Sequence, residues 1–237
     1  MKAMILAAGF GSRLGDLTKE TPKCMMSVGE TTLLEMVVDK LKTLEASEII
    51  INLYHLADKV QLYVQSRDYF GTRIFLSKED QLLGTGGGVL NVAQRLQAED
   101  YFVIYNADVY CELNLLQLVE AHNRHNALAT LAIMNRETSR PLFFDKNMYM
   151  CHERKENRQA FGFTGIHVLS PRMFDYFVGF CEPFSIIDPY KRAVESGERI
   201  LGFDIGETYW IDAGIPSRLE KLRSYLTKRP IIPIQEV

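Results

Sequence analysis

The chain has 237 residues, with 27 Lys+Arg against 30 Asp+Glu and a formal net charge of −3. That balance lacks the basic excess of a nucleic-acid binder, and 47% hydrophobic with 24% charged residues excludes a disordered chain. No apolar run approaches the roughly 18 residues needed to cross a bilayer, so neither nucleic acid nor membrane is an expected partner.

The opening Met1-Lys2-Ala3-Met4-Ile5-Leu6-Ala7-Ala8-Gly9 is too short an apolar stretch for a signal peptide and reads as a first buried strand over 3–7. Further strands are expected over 48–53, 73–76, 101–105 and 128–133, where short β-branched runs recur. Between them, helical spacing marks 33–44, 57–65, 88–96 and 115–125. Such alternation predicts an α/β fold with a mostly parallel sheet covered by helices on both faces. Beyond Asn135 the rhythm changes. Two short strands are expected around a turn at Asp145-Lys146-Asn147, then a polar loop over 152–159 and a strand over 163–169. Helices are expected to start at Ser170-Pro171 and Asp188-Pro189, each with a capping side chain before a first-turn Pro. Strands over 199–204 and 209–211 precede a last helix over 216–226, and the Pro-rich 230–234 cannot be helical.

Cys24, Cys111, Cys151 and Cys181 show no C-x-x-C spacing, which predicts reduced thiols, no zinc and a cytoplasmic setting. His122 and His125 form an i, i+3 pair on a polar stretch, expected to be a solvated helix face rather than a metal site.

After the first strand comes Ala7-Ala8-Gly9-Phe10-Gly11-Ser12-Arg13-Leu14-Gly15, then Thr21-Pro22-Lys23. Glycines there let backbone N–H groups converge on an anion, and Arg13 and Lys23 add charge suited to phosphate. A dinucleotide fingerprint fails, because Leu14 takes the third glycine position and the second strand ends Ile51-Asn52-Leu53 without an acid. The G-x-x-x-x-G-K-[ST] loop is absent. A plain strand-to-helix turn would account for Gly9 and Gly11, but not for Arg13 or the Pro22-Lys23 pair.

From Leu6-Ala7-Ala8-Gly9 through Arg13-Leu14 to Pro22-Lys23, the segment resembles the signature of sugar-1-phosphate nucleotidylyltransferases, L-A-A-G-x-G-[TS]-R-L…P-K. Asp16 stands where the family usually has Pro. Further along, Leu83-Gly84-Thr85-Gly86-Gly87-Gly88, Tyr105-Asn106-Ala107-Asp108, the strand Phe163 to Pro171, and Trp210-Ile211-Asp212-Ala213-Gly214-Ile215-Pro216 are similar to its later motifs, in order. The resemblance is to short members of the family, such as N-acetylmuramate-1-phosphate uridylyltransferases and mannose-1-phosphate guanylyltransferase-like proteins. It implies a Rossmann-like three-layer sandwich with a mixed, mostly parallel sheet in one domain over 1–227. That domain would divide into a nucleotide-binding half over 1–110 and a sugar-binding half over 111–227, followed by a tail over 228–237.

The implied reaction transfers a nucleoside monophosphate, from UTP or GTP, to an N-acetylmuramate-, mannose- or heptose-type 1-phosphate, acting as monomer or homodimer. By the same resemblance, Arg13, Lys23 and Asp108 are catalytic, and Asp108 and Asp212 hold Mg²⁺. Ala7, Ala8, Gly9, Gly11, Ser12, Arg13, Glu79, Thr85 and Gly86 would bind the nucleotide, while Asn106, Arg140, Glu153, Gly165 and Asp188 would bind the sugar phosphate. Glu79 could equally be a solvated strand-end acid, surface salt bridging and helix capping are the alternative readings of Arg140 and Asp188, and Phe163 replaces the Asn that relatives place in the sugar pocket. Two other readings stand beside this one. A cytidylyltransferase for a small phosphate such as phosphocholine would need an aromatic cage, for which Tyr149, Phe161, Phe163 and Trp210 are available. A non-catalytic nucleotide-sugar sensor would be expected to lack Arg13, Lys23 or Asp108, all present here.

Overall fold

Apolar side chains alternate between two cores along each central strand of the computed structural model, which describes residues 1–152 and 157–228. On β1 (Lys2–Leu6), Ala3 and Ile5 enter one core while Met4 enters the other. The glycine segment after β1 leads to the short α1 (Leu17–Glu20), the hairpin β2 (Ser27–Val28) and β3 (Thr31–Thr32), and then α2 (Leu33–Lys42). Thr32 and Glu35 cap α2 reciprocally, each side chain accepting the other's backbone N–H. Next come β4 (Glu48–Leu53), α3 (Ala57–Ser66), β5 (Ile74–Lys78), α4 (Gly84–Asn91), α5 (Ala93–Leu96), β6 (Phe102–Asn106), β7 (Val109–Cys111) and α6 (Leu115–His125). The later part holds β8 (Ala129–Met134), β9 (Leu142–Phe144), β10 (Met150–Cys151), β11 (Gln159–Leu169), α7 (Ile187–Glu195), β12 (Ile200–Asp204), β13 (Trp210–Asp212) and α8 (Pro216–Thr227).

The main sheet has nine strands among the described residues, running β10-β9-β11-β6-β1-β4-β5, with β8 on β11 and β12 on β8. Strands β6, β1, β4 and β5 are parallel, and β11 runs against β6 and β8. The sheet is therefore mixed, as expected. One core joins it to α2, α3 and α6 through Leu34, Val38, Val60, Val64 and Leu118; the other joins it to α4, α5 and α7 through Val89, Leu96 and Tyr190. These are the three layers. A smaller cluster of Leu14, Met26, Val28, Ile211, Leu219 and Leu222 seats α8 beside the glycine loop.

Several expectations need correction. The helix placed over 88–96 starts at Gly84 and breaks at Val92, whose φ of −110° interrupts it. Ser170-Pro171 opens a short 3-10 helix, Pro171–Tyr176, rather than an α-helix. Pro189 sits third in α7, so Asp188 lies inside the first turn and does not precede it. The strand placed over 163–169 begins at Gln159, because its first residues pair with β9. His122 is not solvated: it is 4% exposed, bonded through Nδ1 to Thr130 Oγ1 at 3.0 Å, and burial pulls its pKa down to about 4. Residues 153–156, which include Glu153 and half of the polar loop, and the Pro-rich end lie outside the described residues.

Candidate active site

Parallel register lines up Leu6, Asn52 and Asn106 across β1, β4 and β6, at the carboxyl ends of the strands. Ligands in open α/β sheets gather at such ends. Here the chain leaves the sheet twice, through Ala7-Ala8-Gly9 and through Ala107-Asp108. Together with Lys23, Cys24, Asn52, Leu82, Gly84, Thr85 and Asn106, these residues line a cleft of about 300 Å³. Gly165 has a φ of +87°, and a Cβ there would lie 2.5 Å from Asn106 Nδ2, so only glycine leaves Asn106 its place.

At the cleft's first edge, Gly11 adopts a φ of +67° and the chain folds into the 3-10 turn Ser12–Leu14. Among the described residues, the N–H groups of Gly9, Phe10 and Gly11 donate to no protein acceptor. Thr18 Oγ1 ties the loop by donating to the carbonyls of Gly11 and Gly15. A Cβ on Gly11 would lie 2.8 Å from Thr18 Cγ2 and 3.0 Å from Lys23 Cβ, so this glycine is what lets Lys23 approach the loop. Ser12 and Arg13 are exposed at the rim.

Across the cleft, β7 pairs antiparallel with β13, setting Asp212 opposite Val109, and Ala213 N donates to Asp108 O at 2.8 Å. This small ladder brings the two predicted metal acids side by side. Lys23 is ion-paired with Asp108. Asp212 Oδ1 accepts from Gly214 N at 2.7 Å, while Oδ2 faces Arg218 at 3.4 Å and Arg13 at 3.8 Å. A Cβ on Gly214 would lie within 3.0 Å of Asp212 Oδ1, Arg13 Nη2 and Lys23 Nζ together, which locates these groups around one point. Among the described residues no cluster of three or more His, Cys, Asp or Glu could hold a metal. Two carboxylates suffice for Mg²⁺ when substrate phosphates complete its shell, so Asp108 and Asp212 fit that ion.

Glu79 is buried at 8% exposure and does not line the cleft. Its Oε1 accepts from Asn52 Nδ2 at 2.7 Å and its Oε2 from Leu83 N at 3.2 Å, while Asn52 Oδ1 accepts from Ala7 N at 2.8 Å. Burial pushes its carboxyl above the usual range against these bonds. Thr85 Oγ1 accepts from Ile186 N, and Gly86 N donates to Phe184 O, so the second glycine segment is clamped to the stretch before α7. Asp188 accepts from Ser185 N within that same stretch. Arg140 is exposed on the loop before β9 and does not line the cleft.

The sequence reading passed over Cys24, Leu82, Asn52, Arg218 and Arg136. Cys24 is buried beside Lys23, and desolvation raises its thiol to about 12, which leaves it unreactive. Asn52 carried a signal, as the one polar residue in the apolar run Ile49-Ile50-Ile51-Asn52-Leu53. Arg136 stacks on the Trp210 ring at 4.5 Å and donates to Phe163 O at 2.9 Å. With that ring face covered, and Phe161 buried at 6% exposure, an aromatic cage for a quaternary ammonium is not assembled.

The profile of the nucleotidyl transferase family matches residues 2–144. The chain belongs to that family. A UTP–glucose-1-phosphate uridylyltransferase from Synechocystis sp. is 26% identical over 96% of this chain and 64% of its own length. A mannose-1-phosphate guanyltransferase from Schizosaccharomyces pombe is 27% identical over 96% of this chain and 63% of its own length. The chain thus spans just under two thirds of these curated relatives. Among solved structures, a putative glucose-1-phosphate thymidylyltransferase from Bacillus anthracis, in complex with sucrose, superimposes with a TM-score of 0.81 at 22% identity, covering 95% of this chain and 94% of the other. A UDP-glucose pyrophosphorylase complexed with UDP-glucose gives a TM-score of 0.80 at 16% identity, covering 96% and 99%. Both share the fold. No helix among the described residues is long and apolar enough to cross a membrane.

Proposed function

We propose that the chain transfers a nucleoside monophosphate from a nucleoside triphosphate to a sugar 1-phosphate, releasing pyrophosphate. The observation that carries this reading is the meeting of Lys23, Asp108, Asp212 and Arg13 at one edge of the cleft, beside free backbone N–H groups. Family membership supports the reaction class, and the curated relatives, named for uridylyl and guanylyl transfer to hexose 1-phosphates, support UTP or GTP as donor.

The acceptor phosphate is anionic near neutral pH and attacks the α-phosphorus without a general base. Its P–O bond forms as the bond to the pyrophosphate oxygen breaks, so the barrier is alignment and charge crowding. The Gly9–Gly11 N–H groups and Arg13 would hold the departing phosphates. Lys23 would exchange Asp108 for the reacting phosphoryl oxygens as substrates enter. Asp108 and Asp212 would hold Mg²⁺, which when bound supplies charge neutralisation between the two phosphates. Asn52, braced by Glu79, keeps the Ala7 amide in place in the cleft.

The test is a pyrophosphate-release screen of the common nucleoside triphosphates against a panel of sugar 1-phosphates with Mg²⁺. At least one pair should turn over, and Lys23→Ala or Asp108→Ala should lower that turnover by about 10²- to 10³-fold while the fold persists. Tight binding of a nucleotide sugar with no turnover of any pair would favour the sensor reading.

A further inference from the structure

Beyond the cations that face Asp212, one more guanidinium enters this region, and among the described residues it forms no ion pair. Arg136 ends up beside the site because β8 pairs with β11, Phe163 opposite Ile133, and Gly162 leaves room that a Cβ would fill at 2.6 Å from Arg136 Nε. Its face covers Trp210, whose Nε1 donates to Thr164 O at 3.0 Å. Trp210 and Asp212 share one face of β13 because side chains alternate along a strand. Among the described residues Arg136 has no carboxylate within 4.0 Å, and its Nε is buried without a hydrogen-bond partner. Burial and then Arg218 disfavour its charge, and Asp212 only partly compensates.

An uncompensated, rigidly stacked guanidinium is costly unless a ligand completes it. Arg13, Lys23 and Arg218 already face the carboxylates of Asp108 and Asp212. Arg136 covers Trp210, which lies two residues before Asp212 on β13, about 6.6 Å away at strand spacing, roughly the reach of one sugar ring. We propose that Arg136, stacked on Trp210, reads a second anionic group on the acceptor, so the preferred substrate is a sugar 1-phosphate that also carries a carboxylate or a second phosphate. This rests on the reaction proposed above and specifies its acceptor.

The test compares glucose 1-phosphate, glucuronic acid 1-phosphate and glucose 1,6-bisphosphate as acceptors for the wild type, Arg136→Gln and Arg136→Lys. The wild type should favour one anionic acceptor over glucose 1-phosphate by about 10- to 100-fold in kcat/KM, the worth of a charge-assisted hydrogen bond. The two anionic arms tell carboxylate from phosphate. Arg136→Gln should bring that ratio close to one, and Arg136→Lys should keep an intermediate ratio, with thermal melts confirming that both variants fold. A wild-type ratio near one, or a ratio untouched by Arg136→Gln, overturns the proposal while leaving the transfer reaction intact. If nothing turns over, the reaction reading fails, yet calorimetry on the same acceptors still decides the subsite. Anionic acceptors bound about tenfold more tightly, with the preference lost in Arg136→Gln, would sustain it; equal or absent binding would end it.

Discussion

The Lys23 ammonium lies against the Asp108 carboxylate, joining the turn after the glycine loop to the end of β6 across 85 positions of sequence. Each side chain neutralises the other in the absence of substrate, and both are less than one-fifth exposed. Removing either should leave an uncompensated charge in the cleft and misplace the reacting phosphates. Lys23→Ala and Asp108→Asn are each expected to lower kcat/KM by about 10²- to 10³-fold, the usual loss for one preorganised electrostatic group. Steady-state pyrophosphate release checks this. A loss under tenfold in both variants would remove the pair from the catalytic machinery.

Glu79 supports Asn52 and Leu83 from behind the cleft. Glu79→Ala should leave Asn52 Nδ2 and the Leu83 N–H without their acceptor, at a cost of about 1–3 kcal/mol each, and should raise KM for every nucleoside triphosphate alike. A carboxylate that touched the base would instead change the ranking of the nucleotides. Measuring KM for UTP and GTP in the wild type and variant separates the two roles.

His122 and His167 are buried as neutral rings, with pKa values pulled down by burial from 6.5 to about 4 and about 3. His167 Nδ1 meets Tyr190 Oη at 2.6 Å, and its buried Nε2 has no hydrogen-bond partner among the described residues. The unfolded chain takes up protons on both below pH 6.5 while the folded chain does not, so stability falls as pH drops from 6.5 toward 4. Each group should cost about 2 kcal/mol between pH 7 and pH 5. Urea unfolding at the two pH values reads the sum, and His122→Asn, which can keep the Thr130 bond, should flatten the dependence by about half. An unchanged slope in that variant would mean His122 titrates normally.

The glycine loop and Asp108 follow strand ends, Asp212 closes β13 and Lys23 follows Thr21-Pro22, so the placement of all four was legible in local motifs. Glu79 was not legible in its structural role. Its partners come from β4 and from the start of α4, and the parallel register that aligns Asn52 with Leu6 leaves no mark in the sequence around Glu79. His122 was misread for the same reason: the polar pattern of α6 hides its contact with Thr130 on β8. Arg136 depends on three separate strands, β8, β11 and β13, so no spacing rule could have placed it on Trp210.

Gly214 offers a test of the site's geometry with little effect on the fold. Its backbone is outside the left-handed region, so alanine is conformationally acceptable there. A methyl group would nevertheless lie 2.5 Å from Asp212 Oδ1, 2.8 Å from Arg13 Nη2 and 3.0 Å from Lys23 Nζ. These are ends of side chains, which can move aside without disturbing β13. Gly214→Ala should therefore lower kcat/KM by about 10²-fold, as a displacement near 1 Å does in a positioned site, with the melting transition shifted only slightly. An active Gly214→Ala enzyme would show that Asp212, Arg13 and Lys23 do not act around a common point.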